Sequence, residues 1–210
     1  MLKAGDKAPT FKLPSDQGKA LSLNDFAGSY VVLYFYPKDD TPGCTRQAQA
    51  FTEMQRAFSS LGATVLGVSR DSVDRHEKFR KKYDLRVPLL SDEDLTVHKL
   101  YGTYGTKMMY GRETQGTIRT TYVVGPTGRI VAVFPKVKVE GHAEKVLDLL
   151  REVQNERAGV SAETAKPTVV RAAPAKKTAV APKKAAPKNP VVVTKSAPAK
   201  KRAASRTNKG

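Results

Sequence analysis

The chain of 210 residues holds one cysteine, Cys44. A lone thiol excludes a disulfide framework within the chain and fits a reducing compartment. Histidine is scarce as well. His76, His98 and His142 are scattered, without cysteine or carboxylate partners at ligand spacing, which speaks against a metal site and reads as surface or helix-end histidines. No glycine loop of the phosphate-binding kind is present. The longest strongly apolar run, Tyr30 to Tyr36, is far short of the ~20 residues that span a bilayer. The opening Met1-Leu2-Lys3-Ala4-Gly5-Asp6 lacks the apolar core of a secretory signal. These absences predict a soluble cytoplasmic protein that carries no cofactor and no metal.

Another absence divides the chain. All of the 8 Tyr and 7 Phe precede residue 159. Residues 159–210 hold 13 of the 37 Lys+Arg and a single acid, Glu163, so most of the net charge of +17 falls there. A segment without aromatics cannot build a core or offset its ordering entropy. The expectation is a folded domain over 1–158 and a disordered basic Ala/Lys/Pro-rich tail over 159–210.

Within the folded part, Thr10–Leu13 and Leu21–Leu23 read as short strands about the turn Asp16-Gln17-Gly18-Lys19. Tyr30–Tyr36 and Ala63–Ser69 read as strands buried on both faces. The pattern between them, with Ala48, Phe51 and Phe58 at helical spacing, makes a βαβ unit with parallel strands. A helix over 72–84 capped by Ser72, an edge element at Val87–Ser91 and a short helix over Leu95–Tyr101 follow. Residues 102–116 read as an irregular loop, a candidate flap or subunit contact. Ile118–Val124 and Arg129–Phe134 flank Gly125-Pro126-Thr127-Gly128 as a hairpin, which puts Arg119 at the start of a strand. Val146, Leu149, Leu150 and Val153 mark the inner face of a closing helix. The sum is α/β: a mixed central sheet flanked by helices.

Cys44 sits where strand gives way to helix, in the helix's first turn. The first N–H groups of a helix have no internal partner, and its dipole favours negative charge there. A thiol so placed loses its proton more readily, and the thiolate is the nucleophile. Arg46 is a nearby cation. A small buried hydrophobe is the other account of a single cysteine. Asp39 and Asp40 read as solvated turn residues, and Gly43 as a place where backbone approaches substrate.

The surrounding residues bear on the choice. Pro37-x-x-x-Thr41-x-x-Cys44 resembles the peroxiredoxin active-site motif. The fuller string Phe35-Tyr36-Pro37-Lys38-Asp39-Asp40-Thr41-Pro42-Gly43-Cys44-Thr45 is similar to the bacterioferritin-comigratory, Q-type subgroup. Lys3-x-Gly5-Asp6-x-Ala8-Pro9-x-Phe11 and Thr117-Ile118-Arg119-Thr120-Thr121 extend the likeness over roughly residues 3–155. The resemblance implies a thioredoxin-like fold and a thiol-dependent peroxidase acting on hydrogen peroxide and organic hydroperoxides. Cys44 would attack the O–O bond and become a sulfenic acid. Thr41 would hydrogen-bond the peroxide, Arg119 would hold the thiolate and the developing oxygen charge, and Pro37 would shield the site from water. Many members of the subgroup carry a resolving cysteine five residues on; here that residue is Gln49. An external thiol (thioredoxin, glutaredoxin or a small thiol), or Cys44 of a second chain, must then reduce the sulfenic acid. The chain is expected as a monomer or weak homodimer.

The tail supplies a second reading. Units such as Pro182-Lys183-Lys184-Ala185-Ala186-Pro187-Lys188 suit sequence-blind attachment to DNA or another polyanion, which would put part of the protein on the nucleoid. The alternative to an enzyme is a non-specific nucleic-acid-binding protective protein in which the tail carries the main role.

Overall fold

A computed structural model describes residues 1–109 and 112–163. The expected tail lies outside the described residues from position 164 onward, as do Tyr110 and Gly111.

Strand β3 (Tyr30–Phe35) is the axis of the fold, and every residue in it is buried. Side chains alternate across a strand. Tyr30, Val32 and Tyr34, continued by Tyr36, enter one apolar cluster, while Val31, Leu33 and Phe35 enter another. β4 (Ala63–Ser69) and β5 (Leu89–Ser91) extend the sheet in parallel on one side. β8 (Thr120–Val124) and β9 (Ile130–Phe134) continue it antiparallel on the other, giving the order β5-β4-β3-β8-β9. The first cluster packs under α1 (Pro42–Glu53), α2 (Gln55–Ser60), α3 (Val73–Tyr83) and α5 (His142–Glu163). The second is covered by α4 (Thr96–Leu100) and the small hairpin β1–β2 (Lys12–Pro14, Ala20–Ser22). This is the mixed sheet with helices on both faces that the residue pattern predicts.

One close approach fixes how α1 sits on the sheet. A Cβ on Gly67 would lie 2.6 Å from Tyr34 Oη, so only glycine lets the Tyr34 ring lie across β4. That ring stacks on Phe51 of α1 at 4.8 Å between centroids. Stacked aromatic pairs add about 0.5–1.5 kcal/mol beyond their buried area.

Two expectations are corrected. The stretch 102–116 is largely a hairpin, β6 (Tyr104–Met109) with β7 (Arg112–Thr117), in register from Tyr104↔Thr117 to Met109↔Arg112. It hid in the sequence because it belongs to a separate two-stranded sheet, and exposed Thr106, Glu113 and Gln115 leave no apolar alternation. The second correction concerns residue 119. β8 begins at Thr120, so Ile118 and Arg119 form the link between β7 and β8. Backbone bonds anchor that link at both residues: Ile118 N–H donates to Thr103 O at 2.7 Å, and Val137 N–H donates to Arg119 O at 2.9 Å.

Candidate active site

The loop after β3 ends at Thr41, the N-cap of α1, in extended conformation (φ −103°, ψ 148°). Pro42 follows at the first helical position, where its missing N–H and fixed φ do no harm. Cys44 is the third helical residue. The first intrahelical bond runs from Thr45 N–H to Thr41 O at 2.8 Å. The amides of Gly43 and Cys44 precede it and have no acceptor within the helix. Thr41 does not cap the helix with its side chain. Its hydroxyl donates instead to Lys38 O at 3.1 Å.

Cys44 is 2% exposed. It is not sealed among hydrocarbon, for Arg119 Nη2 donates to its Sγ at 3.2 Å. The same guanidinium donates through Nη1 to Gln47 Oε1 at 2.5 Å. Gln47 stands one turn after Cys44 on the same helix face, so a two-pronged cation spans two successive turns of α1. Gln47 is 1% exposed and nothing in the motif singles it out; its spacing from Cys44 was the one signal the sequence offered. Arg46 is exposed, and Arg119 is the cation that reaches the sulfur. Pro37 is half-buried at the start of the loop. A Cβ on Gly43 would meet Arg119 Nη2 at 3.5 Å, an ordinary contact, so the site does not require glycine there.

The loop itself is bolted down from below, which corrects two further expectations. Asp39 is not a solvated turn residue but 3% exposed. It accepts the Tyr36 hydroxyl at 2.7 Å and His76 Nδ1 at 2.7 Å, and its N–H donates to Asp71 at 2.7 Å. Adjacent Asp40 does face solvent. It adopts φ +57° and takes Lys82 at 2.8 Å and the Tyr83 hydroxyl at 2.5 Å, bonds that hold its carboxyl below the usual range. The histidines are not at the surface either. His76, His98 and His142 are at most 4% exposed. Periodicity alone does not separate a buried paired histidine from a surface one, and the partners of His76 and His142 lie 37 and 21 positions away along the chain.

His142 starts α5 behind the arginine, with Nε2 at 2.8 Å from Thr121 Oγ1 and its ring edge-on to Phe51 and Phe134. Burial, with help from Lys145 and Arg119, pushes its pKa down to about 4. Burial and the nearby Asp39 push the Tyr36 hydroxyl well above its ordinary range. Tyr36 is therefore a neutral donor. Among the described residues, no three of His, Cys, Asp and Glu converge as a metal ion would need.

A first-turn cysteine held by a guanidinium can carry developing negative charge, and the chain as a whole is similar to known proteins. The AhpC/TSA family pattern matches residues 4–133. A protein of Coxiella burnetii named putative peroxiredoxin bcp is 48% identical over 149 residues, 71% of this chain and 99% of that protein. A Xylella fastidiosa PrxQ mutant structure superposes with a TM-score of 0.70 at 38% identity, covering 73% of this chain and 98% of that one. A structure of the Xanthomonas campestris bacterioferritin comigratory protein, solved for insight into its alkyl peroxide reduction activity, gives 0.65 at 39% identity, covering 68% and 90%.

Proposed function

The chain belongs to the AhpC/TSA family as a peroxiredoxin of the Bcp/PrxQ kind, an enzyme that reduces hydroperoxides, and from that membership we propose that it works through Cys44 by a one-cysteine route. The Cys44 thiolate attacks one hydroperoxide oxygen. An S–O bond forms as the O–O bond breaks, the leaving oxygen takes a proton, and the sulfur becomes a sulfenic acid. Charge passes from sulfur to oxygen along this path. The Arg119 guanidinium and the unpaired first-turn amides meet it without reorganising. Gln47 holds Arg119 in that pose. Thr41, with its proton committed to Lys38 O, offers lone pairs to the hydroperoxide O–H. Pro37 limits water at the loop. Hydrogen peroxide and organic hydroperoxides are the substrates; the alkyl peroxide reduction activity of the Xanthomonas protein supports the latter. With one cysteine in the chain, an external thiol must return the sulfur to its reduced state.

The observation that carries this reading is the 3.2 Å bond joining Arg119 to Cys44 across 75 positions of sequence. Stopped-flow oxidation with hydrogen peroxide and an organic hydroperoxide, with trapping of the sulfenic acid, tests it. Cys44→Ser should abolish oxidation. Arg119→Ala should slow it by about 10²–10³-fold, as removal of one oxyanion donor does, while the fold survives. A folded Arg119→Ala chain oxidised at the wild-type rate would refute the role.

The charge of residues 159–210 supports a second reading, in which a domain of 1–158 is tethered to DNA or another polyanion by its basic tail. In its strongest form the chain is a non-specific nucleic-acid-binding protective protein and the tail carries the main role. Duplex affinity should fall steeply with salt and vanish on deletion of 159–210, with peroxide turnover retained. Equal affinity in the truncated chain would end this reading.

A further inference from the structure

We propose that a cleft at the carboxyl ends of β3, β4 and β5 binds the reductant, and that this reductant is a small net-anionic thiol of the amino-acid or peptide type. The inference rests on the peroxidase reading above and names the thiol which that reading requires.

The cleft has a volume of about 520 Å³, within the usual range for a small-ligand pocket. Pro37 and Lys38 line it from the loop after β3, Arg70 and Arg75 from the β4–α3 segment, and Glu93 from the loop after β5. The edge beyond the carboxyl ends of parallel strands is where open α/β sheets bind ligands. Cys44 belongs to the same edge, since α1 starts from the loop that carries Pro37 and Lys38. The Thr41 hydroxyl bonds to Lys38 O at 3.1 Å, so the cleft wall and the site threonine form one piece of backbone.

Charge selects the ligand. Arg75 is engaged by Asp71 at 3.2 Å, and Asp71 is further occupied by the Ser69 hydroxyl and the Asp39 N–H. Lys38 and Arg70 are exposed, and no hydrogen bond or ion pair of the described residues engages either side-chain cation. Glu93 has only a long 3.4 Å bond from Ser91. Two unspent cations and one nearly free carboxylate suit a molecule with carboxylates and an ammonium group. Size points the same way. Cys44 is 2% exposed, and a small molecule approaches a recessed sulfur with less steric hindrance than a protein surface does.

The chemistry balances with two thiols for each peroxide. The first thiol attacks the sulfenic sulfur; an S–S bond forms, the S–O bond breaks, and the hydroxide leaves as water. The second attacks the outer sulfur of the mixed disulfide, which frees Cys44 and the oxidised thiol dimer.

The test separates this inference from the reading beneath it. Oxidation of the wild-type chain by hydrogen peroxide is read first; no oxidation would remove the peroxidase reading, and this inference with it. The preformed sulfenic acid is then mixed with glutathione, 2-mercaptoethanol or cysteamine. Arg70→Glu and Lys38→Glu should each slow reduction by glutathione on the order of tenfold, leave 2-mercaptoethanol alone and favour cysteamine. In the unmutated chain, added salt should slow glutathione but not 2-mercaptoethanol. Equal effects on all three thiols would overturn the proposal. So would faster reduction by thioredoxin than by glutathione with the same loss in Arg70→Glu, which would assign the cleft to an acidic protein face.

Discussion

Two aspartate–histidine pairs are buried in this fold, one on each face of the sheet, with the same chemistry and different purposes. Asp39 and His76 meet at 2.7 Å, Asp92 and His98 at 2.6 Å. In both the aspartate accepts from Nδ1, and Nε2 has no partner among the described residues. His98 stands edge-on to Phe35 in the cluster under α4, and Asp92 also accepts the N–H groups of Val97 and His98. That pair secures the start of a short helix. His76 reaches from α3 into the loop between β3 and α1, so the other pair secures the backbone that carries Pro37 and Thr41. One pair should therefore govern stability alone, and the other should govern stability and rate together.

The largest effect expected is Asp92→Ala. It strands a fully buried histidine and two amide groups, and removing one partner of a buried pair costs about 3–5 kcal/mol. The urea midpoint should fall sharply, while peroxide oxidation of the molecules that remain folded keeps its wild-type rate constant. A comparable fall in that rate constant would break the contrast between the pairs.

Acid should divide the two faces next. His142, on the α1 side, has its folded pKa depressed from 6.5 to about 4. The unfolded chain therefore binds a proton first. The stability held by neutral His142 is complete above pH 6.5 and drains away as pH falls toward 4, by about 2–3 kcal/mol. For Asp92, burial raises the carboxyl pKa, but the bonds from His98 and Val97 outweigh it and the net shift is downward. Its contribution is present above the unfolded value of about 3.9 and is lost only as pH falls through the lower folded value. Denaturation midpoints between pH 7.5 and 4 should decline in the wild type and flatten in His142→Leu. A slope unchanged in that variant would place the titrating group elsewhere.

The third effect is kinetic. His76→Gln removes the ring that holds Asp39 and should slow oxidation roughly ten- to a hundredfold, the size expected when a positioned group drifts by about 1 Å. Stability should fall by less than in Asp92→Ala, because a glutamine amide can still donate to Asp39. If stopped-flow rates match the wild type, the loop does not depend on this pair.

These contrasts mark what the residues disclose before folding. β3 was legible because it is apolar throughout, and its parallel pairing with β4 because a helical pattern joins them; that antiparallel β8 lies along its other edge was not. Cys44 was legible as a candidate from its place where strand gives way to helix, and Thr41 and Pro37 through the resemblance that one short string carries. Arg119 was legible only through a resemblance, since nothing local aims it at position 44. Gln47 and the Asp39–His76 and Asp92–His98 pairs were not. A buried polar residue is identified by its partner, and Asp39 and His76 meet only after β4 and α3 have been laid beside β3.

The smallest effect tests the neighbours Asp39 and Asp40, which point opposite ways out of one turn. Asp40 also ties the loop to α3, through Lys82 and Tyr83, yet it does so in solvent. Exposed ion pairs contribute little and are screened by salt. Its backbone is the more demanding feature: φ +57° is a left-handed conformation that asparagine tolerates well and alanine does not. Asp40→Asn should therefore leave the denaturation midpoint and the oxidation rate near wild type, with any loss disappearing at high salt. Asp40→Ala should cost more than Asp40→Asn at every salt concentration, because strain is not screened. If Asp40→Asn instead slows oxidation as much as His76→Gln, any tether to α3 would serve the loop, and burial would not be what distinguishes the Asp39–His76 pair.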